Sequence, residues 1–243
     1  MPQSRRTLIK LGLAAGAVAF IPSARAEDDG AVGAVNDIVN FAWGTPPGDA
    51  REEMEHEDPA YMQELVETGE ESALLIVFAD GSKLTLGENS EAVIDEFVYD
   101  PAAKSGNQAI KLTKGAFRYV SGALPKENVK IETPPASLGI RGTELVIEIT
   151  ADGDVEASTE SGEAIWRPRG EDVEEIVEAG FVLQIGRDGR RRGRKQRRRM
   201  IARSIAIAEG LDRARARWPV RKPKRRRAVR RVRKIRFRGP ARN

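Results

Sequence analysis

Short runs of apolar residues recur through the middle of the chain, and Gly, Asp or Asn separates one run from the next. Leu74–Phe78 is a continuous apolar run, and the Asp80-Gly81 dipeptide after it is typical of a hairpin turn. Strands are also predicted at or near Ala31–Phe41, Leu65–Val66, Lys83–Leu86, Glu91–Phe97, Lys111–Val120, Val129–Ile131, Glu144–Ile149, Val155, Ala164–Trp166, Ile176 and Phe181–Ile185. Roughly a dozen short strands with frequent turns predict an all-β fold: a sandwich, a barrel or a short β-solenoid.

Some segments depart from this regular pattern. Trp43–Gly48 has the composition of a loop, and Gly115 is expected to interrupt its strand. Arg51–Thr68 carries Glu, Met and Leu at mixed spacing around Pro59, which favours a short acidic helix or an irregular insertion before a strand. In Glu91–Phe97 apolar residues occur on both faces, so the pattern leaves open which face is buried.

The charge of the chain is divided between two regions. Residues 27–186 contain 34 acidic and 11 basic residues, whereas residues 187–243 contain 26 basic and 3 acidic residues. The acidic region is long enough for one domain with a core of its own. The Arg-rich region is low in complexity, and its like charges predict a disordered or partly helical tail. We therefore expect a domain at 27–186 and a tail at 187–243.

The first 26 residues have the features of an export signal. Arg5 and Arg6 form a twin-arginine pair, and the apolar run Leu11–Ile21 is too short to span a bilayer, which needs about 20 residues. Small residues end the segment, so cleavage is expected after Ala26. This predicts a periplasmic protein without a transmembrane span in the mature chain. An uncleaved N-terminal anchor is the alternative.

Three motifs in a fixed order carry a resemblance to a known family. They are Asp80-Gly81-Ser82, then Gly87, Asn89 and Ser90 within Leu86–Ser90, and finally Gly139, Arg141, Gly142 and Thr143 within Gly139–Thr143. In this order they resemble the FecR domain, an all-β module of bacterial envelope proteins. The resemblance extends over about Ala31–Gly186 and is strongest from Phe78 to Thr143.

This resemblance implies a periplasmic sensing or interaction module, not an enzyme. The founding members are single-span regulators, in which a cytoplasmic segment controls a sigma factor and the periplasmic part senses a loaded iron transporter. Only four residues precede Arg5, so no such cytoplasmic segment is expected here. A non-enzymatic binding or sensing module is the main prediction, and a regulator that signals through a separate membrane protein is the alternative.

The motif residues are interpreted as mainly structural. Glycines permit tight turns, bulges and close strand crossings. Gly139, Arg141 and Gly142 also suit an anion-binding site, since Gly-rich backbone beside a guanidinium can hold an anion. The acidic surroundings favour the structural interpretation, in which Arg141 pairs with a carboxylate.

Candidate chemistry is sparse along the chain. The chain has no cysteine, which excludes disulfides and thiolate-held cofactors, and His56 is the single histidine. His56 lacks the second histidine of a zinc helix, and no nucleophile elbow is present. We therefore expect no catalytic residue, metal or cofactor, although a hydrolase built on two carboxylates is a second alternative.

Basic clusters in the tail suggest contacts with polyanions. They are Arg190, Arg191, Arg192, Arg197, Arg198, Arg199, Arg225, Arg226 and Arg227. Between them lie Met200, Ile201, Ile205, Ile207, Leu211 and Trp218, a pattern compatible with a basic amphipathic helix on an anionic membrane. The expected partners are an acidic envelope protein or an anionic envelope surface, such as lipid head groups or lipopolysaccharide. The tail folding back on its own domain and translation of a wrong frame remain open, whereas a periplasmic address argues against nucleic acid.

Overall fold

A computed structural model describes residues 30–140, 144–169 and 173–196, and within these ranges nearly all regular structure is β-strand. The predicted all-β class is therefore confirmed. A 3-10 turn covers Lys126–Asn128. The strands are β1 (Ala31–Val39), β2 (Ala42–Thr45), β3 (Glu52–Glu53), β4 (Pro59–Tyr61), β5 (Glu64–Thr68), β6 (Ala73–Phe78), β7 (Lys83–Leu86), β8 (Glu91–Asp100), β9 (Ser105–Val120), β10 (Val129–Glu132), β11 (Ala136–Ile140), β12 (Glu144–Ile149), β13 (Val155–Ser161), β14 (Glu163–Pro168), β15 (Glu175–Glu178), β16 (Phe181–Ile185) and β17 (Arg191–Gln196).

The strands form two sheets that share β9. In the first sheet the order is β4-β1-β6-β7-β9-β12-β13-β16-β17. In the second sheet the order is β3-β2-β5-β8-β9-β10-β11-β14-β15. Only the β9–β10 pair among these is parallel. Of the predicted alternatives, this arrangement corresponds to the sandwich.

Strand β9 passes from one sheet to the other at Gly115. Its first part, up to Lys114, pairs with β8, and its last part, from Gly115 onwards, pairs with β7 and β12. The expected interruption at Gly115 was wrong, because the strand continues through a sharp bend. Gly115 has a φ of 102°, and a Cβ at this position would collide with Ser90. Only glycine fits both constraints.

The inward faces of the two sheets form one hydrophobic core. Phe78 of the first sheet stacks on Phe97 of the second, with ring centroids 5.4 Å apart. Trp166 and Phe117 are also fully buried. Burial of an apolar side chain of this size contributes about 2–3 kcal/mol, so the core is the main source of stability in a chain without disulfides.

A β-bulge decides which face of β8 is buried. Ile94 pairs with Ile110 and Glu96 pairs with Ala109, so Asp95 is an extra residue in β8. The bulge lets Ile94 and Phe97 point to the core although an odd number of positions separates them. In a regular strand the side chains of Ile94 and Phe97 would point to opposite faces of the sheet. The sequence pattern was therefore ambiguous here.

The predictions for the Trp43 and Arg51 regions need correction. Trp43 lies in β2, not in a loop, and it pairs with residues of β3 and β5. The acidic helix considered for Arg51–Thr68 is absent from this described segment, which forms β3, β4 and β5. Met54 is buried against the core, and Pro59 begins the edge strand β4, where a missing N–H is tolerated. Tertiary packing therefore outweighs the local helix signal.

The two ends of the sandwich differ. At one end the sheets finish in the very short strands β3 and β4. At the other end they finish in β15 and β17, and Arg191 Nη1 of β17 lies 3.0 Å from Glu175 Oε1 of β15. The regular structure thus extends ten residues beyond the boundary expected at Gly186. Ion pairs with acidic neighbours explain how an Arg-rich segment is accommodated at the sheet edge.

Candidate functional site

The first motif forms a buried turn between β6 and β7. Asp80 is 5% exposed, and its Oδ1 accepts hydrogen bonds from the backbone N–H of Ser82 at 3.0 Å and from Ser82 Oγ at 2.6 Å. Asp80 Oδ2 accepts a third bond from the N–H of Leu124 at 3.3 Å. These donors compensate the cost of burying a carboxylate. The turn is thereby attached to the segment that follows β9.

A chain of buried polar side chains connects this turn to both parts of β9. Tyr119 donates its hydroxyl hydrogen to Gln108 Oε1 at 2.6 Å, and Gln108 Nε2 lies 3.3 Å from Ser82 Oγ. Burial raises the pKa of Tyr119 above its ordinary value of 10.0; the Ser82 hydrogen bond opposes this shift and the charge of Asp80 adds to it. Gln108 lies in the second sheet and Tyr119 lies in the first. The hydrogen bonds between these buried side chains therefore join the two sheets.

Gly122 packs closely against the Asp80-Gly81-Ser82 turn because it has no side chain. A Cβ on Gly122 would lie 2.5 Å from both the backbone oxygen and the Oδ2 of Asp80. The N–H of Ala123 also donates to the backbone oxygen of Asp80 at 2.8 Å. The turn and the segment after β9 are therefore in direct contact, and any side chain on Gly122 would separate them.

The second motif fixes the connection between β7 and β8. Gly87 N–H donates to the oxygen of Ala116 at 2.7 Å, and the N–H of Ala116 donates to Ser90 Oγ at 3.1 Å. Asn89 adopts a φ of 52°, a conformation that asparagine tolerates well. These bonds hold the connection against the Gly115 bend of β9. The Ser90 side chain therefore contacts β9, whereas Asn89 is exposed.

Gly139 lies on the outer face of the second sheet. It pairs with Lys130 and Ile165, and Arg167 Nη1 lies 3.1 Å from the position that a Cβ would occupy. A shallow groove beside it is lined by Lys130, Glu132, Ala136, Ser137, Arg167, Pro168 and Arg169. Lys130 already pairs with Glu132 at 2.6 Å, and Arg167 with Glu174 at 2.7 Å. The groove thus carries mixed charge.

Several predicted residues lie outside the described ranges. In the third motif these are Arg141, Gly142 and Thr143. In the leader they are Arg5 and Arg6, and in the tail they are Arg197, Arg198, Arg199, Arg225, Arg226 and Arg227. The anion site considered around Gly139 and Arg141 therefore stays a prediction.

The first basic cluster of the tail is at the edge of the first sheet. Arg190, Arg191 and Arg192 are exposed, and two of them approach carboxylates of the domain. Arg192 Nη2 lies 4.0 Å from Asp154 Oδ1 and 3.9 Å from Asp188 Oδ1, in addition to the Arg191 contact with β15. The start of the tail thus lies against acidic residues of its own domain.

Within the part of the chain that the structure describes, potential metal ligands do not cluster. There, no group of three or more histidines and carboxylates is placed to hold a metal ion, and His56 is exposed. No helix in the same ranges has the length and hydropathy to cross a membrane. Sequence reasoning missed the roles of Gln108 and Tyr119 because only the bend of β9 brings them beside the first motif.

Comparison with known proteins gives one family match. Residues 64–164 match the family described as FecR protein, and these residues include all three motifs. No curated protein matches the chain.

Two similar solved structures come from Parabacteroides distasonis, and each is described as a "putative anti-sigma factor". The first has 12% sequence identity and a TM-score of 0.45, and the match covers 54% of this chain and 59% of that chain. The second has 9% identity and a TM-score of 0.44, with coverages of 60% and 64%. The chain therefore spans about three fifths of the length of these structures.

Proposed function

We propose that this chain, whose residues 64–164 match the FecR protein family, is an exported, non-enzymatic binding or sensing module of the bacterial envelope. The β-domain presents the surface that a protein partner recognises. The Arg-rich tail holds the protein on an anionic surface, such as lipid head groups or lipopolysaccharide. The leader with Arg5 and Arg6 directs it to the periplasm.

The observation that carries this proposal is the division of charge. Residues 27–186 have a balance of 23 negative charges, and residues 187–243 have an equal positive balance. Net charge of this size governs association with charged partners and not the fold. A protein whose folded part is acidic and whose tail is basic is suited to contact two different kinds of partner at once.

The internal use of the motif side chains supports a binding module. Asp80, Ser82 and Ser90 all bond to other parts of the chain, and Asp80 and Ser82 are buried. A catalytic group must reach a substrate within hydrogen-bond distance. These side chains stabilise the sandwich, so recognition by a partner involves the outer surface.

Arginine suits the proposed tail contacts for a geometric reason. Its planar guanidinium donates two parallel hydrogen bonds to a phosphate, whereas lysine acts as a single point charge. Each basic residue near an anionic membrane contributes about 1 kcal/mol of binding free energy, and salt weakens this attraction. Clusters such as Arg197–Arg199 and Arg225–Arg227 therefore give strong but salt-sensitive binding.

The test is co-sedimentation of the mature chain with vesicles that contain anionic or only zwitterionic lipid. Replacement of Arg225, Arg226 and Arg227 by Gln is expected to remove about 3 kcal/mol, which lowers the affinity for anionic vesicles by roughly two orders of magnitude. Replacement by Lys keeps the charge and is expected to keep most of the binding. The β-domain is the same in both variants, so any difference belongs to the tail.

Two outcomes would contradict the tether. One is equal binding of the parent and Gln variants, and the other is binding to zwitterionic vesicles that salt does not weaken. The export step has its own test, in which Arg5→Lys together with Arg6→Lys is expected to leave the precursor uncleaved in the cytoplasm. Normal export of that variant would mean that the leader uses an export route that does not require the arginine pair.

A further inference from the structure

Strands β8 and β9 extend together beyond their neighbours in the second sheet. β8 pairs with β9 as far as the pair of Asp100 with Ser105. β5, the neighbour of β8 on its other side, pairs with it only as far as Ile94. Within the described ranges, no strand therefore pairs with that side of β8 between Asp95 and Asp100. We call the segment Asp95–Asp100 the free edge of β8.

The backbone of Tyr99 points to this free edge. Tyr99 pairs with Gly106, whose oxygen accepts a hydrogen bond from Asn128 Nδ2 at 2.8 Å. Asn128 is next to Val129, which pairs with β9 on the side away from β8. Opposite residues of an antiparallel pair either bond to each other or direct their N–H and C=O groups to opposite sides. Gly106 and Tyr99 are of the second kind, and by alternation Phe97 also directs its N–H and C=O to the free edge.

The side chains along the free edge alternate between the core and the outer face. Phe97 is 7% exposed and stacks on Phe78, so it points to the core. Glu96, Val98 and Asp100 lie on the other face and are exposed, Val98 by 56%. An exposed apolar side chain beside backbone groups that lack a neighbouring strand is suited to the addition of a further strand.

The exposed row of side chains is acidic at both ends. The residues opposite Glu96, Val98 and Asp100 in β9 are Ala109, Asn107 and Ser105, and none of these is basic. Asp95 in the bulge pairs with Lys111 Nζ at 2.9 Å, whereas Glu96 has no ion pair among the described residues. The row therefore favours basic side chains opposite its ends and an apolar side chain opposite its centre.

The same charges disfavour pairing with a second copy of this chain. Two copies paired antiparallel about Val98 would bring Glu96 of one protomer directly opposite Asp100 of its partner. Like charges in this position are destabilising. Charged residues and bulges, such as the bulge at Asp95, protect edge strands from self-pairing. A basic partner would not meet this repulsion.

We infer that the free edge of β8 binds an extended segment of a partner protein as an additional antiparallel strand. The segment carries a basic residue at each end and an apolar residue at its centre. Phe97 and Tyr99 each offer one N–H and one C=O to it, while Glu96 and Asp100 select the basic residues. This inference rests on the proposed function, in which the β-domain recognises a protein partner.

The test uses the mature full-length chain and the peptide Ser-Lys-Val-Val-Val-Lys-Ser, labelled with fluorescein at its N-terminus and amidated at its C-terminus. The two lysines are spaced to lie opposite Glu96 and Asp100, and the central valine is spaced to lie opposite Val98. Fluorescence anisotropy measures the dissociation constant at physiological salt. We expect saturable binding.

Methylation of the peptide backbone distinguishes strand pairing from general attraction to an acidic protein. N-methylation of the first and third valines removes the N–H groups that face Phe97 and Tyr99, and it is expected to weaken binding at least about tenfold. N-methylation of the central valine is the matched control. Its N–H points away from β8, so this peptide is expected to keep most of its affinity.

Two substitutions that change the net charge equally locate the binding site on the protein. Glu96→Lys puts a like charge opposite a peptide lysine and is expected to weaken binding about fivefold. Asp152→Lys changes an exposed residue between β12 and β13 and is expected to weaken binding by less than about twofold, because salt screens distant charges. Circular dichroism verifies that both variants are folded.

Several results would overturn the inference. They are the absence of saturable binding up to about 1 mM peptide, equal binding of the two methylated peptides, and equal weakening by the two Lys substitutions. Binding only after removal of residues 197–243 would assign the edge to the basic tail, and a dimer that the peptide dissociates would assign it to a second copy. The peptide assay contains no vesicles, so its failure is distinguishable from failure of the proposed tether.

Discussion

At the residue scale, the contacts of Gly122 give the sharpest prediction. Gly122→Ala places a Cβ against the backbone of both Asp80 and Ser82, and backbone cannot move as easily as a flexible side chain. We expect the free energy of unfolding to fall by about 3 kcal/mol, the upper range for overpacking. Chemical denaturation monitored by tryptophan fluorescence measures this change.

Gly81→Ala in the same turn is the matched control. Gly81 has a φ of 83°, but a Cβ there meets no atom within 4 Å. Only backbone strain opposes that substitution, so we expect a loss of about 1 kcal/mol. If both variants lost equal stability, close packing at Gly122 would not be the reason for its glycine.

The buried hydroxyl of Tyr119 predicts a specific pH dependence. Burial raises its pKa in the folded protein above the ordinary value of 10.0, so the unfolded chain loses this proton first as the pH rises. The folded protein then binds more protons than the unfolded chain, and the free energy of unfolding decreases as the pH rises above 10. Below pH 10 this contribution is fully present. The decrease in stability is measured from denaturation midpoints at several pH values between 9 and 11.

Tyr119→Phe separates this effect from general alkaline unfolding. The variant loses the hydrogen bond to Gln108 and leaves a buried acceptor, which costs about 1–3 kcal/mol at neutral pH. It is also expected to lose less stability than the parent between pH 9 and 11. Parallel curves for the two proteins would mean that Tyr119 does not titrate as its burial requires.

At the element scale, β17 is expected to behave as a component of the domain although its sequence belongs to the basic tail. A chain ending at Gln196 retains the pairing of β16 with β17, whereas a chain ending at Gly186 loses it together with the Arg191–Glu175 contact. Val182 and Leu183 then lie in an edge strand. We expect a loss of about 2 kcal/mol, or roughly 4–8 °C in melting temperature.

Both shortened chains lack residues 197–243, so the comparison isolates β17 from the tail. Thermal unfolding followed by circular dichroism measures the difference. Equal melting temperatures would show that β17 adds nothing to the stability of the sheet, and the domain would then end at Gly186 as the composition suggests.

Sequence reasoning identified elements where a single local rule decides the structure. The Asp80-Gly81 dipeptide predicted a hairpin, and the structure has one between β6 and β7. It failed where tertiary contacts decide. Trp43 and Met54 lie in segments of loop-like or helix-like composition, yet pairing with β5 and burial against the core determine their structure.

The candidate site could be predicted less well than the fold. Asp80 and Ser82 were recognised as motif residues, but their partners Gln108 and Tyr119 lie more than 25 positions further along the chain. They meet the motif only because β9 bends at Gly115 and enters both sheets. The pattern of apolar and polar residues does not predict that bend. Gly115 indicates only where along β9 a bend is possible.

At the scale of the whole molecule, the acidic and basic regions differ in charge and in the partners that they suit. We propose that the sandwich recognises a partner and that the basic tail binds an anionic surface. Charge segregation of this kind makes association sensitive to ionic strength, since the Debye length shortens from about 10 Å at 0.1 M salt to about 3 Å at 1 M. The folded state is expected to be less sensitive, because burial of apolar surface stabilises it.

The most direct test compares the mature full-length chain with the chain that ends at Gln196 in co-sedimentation with anionic vesicles over a salt series. We expect only the full-length chain to bind, and we expect binding to weaken steadily as salt increases. Both chains are expected to remain folded throughout. Equal binding by the shorter chain, or binding by the full chain that salt leaves unchanged, would contradict the assignment of surface binding to the basic tail.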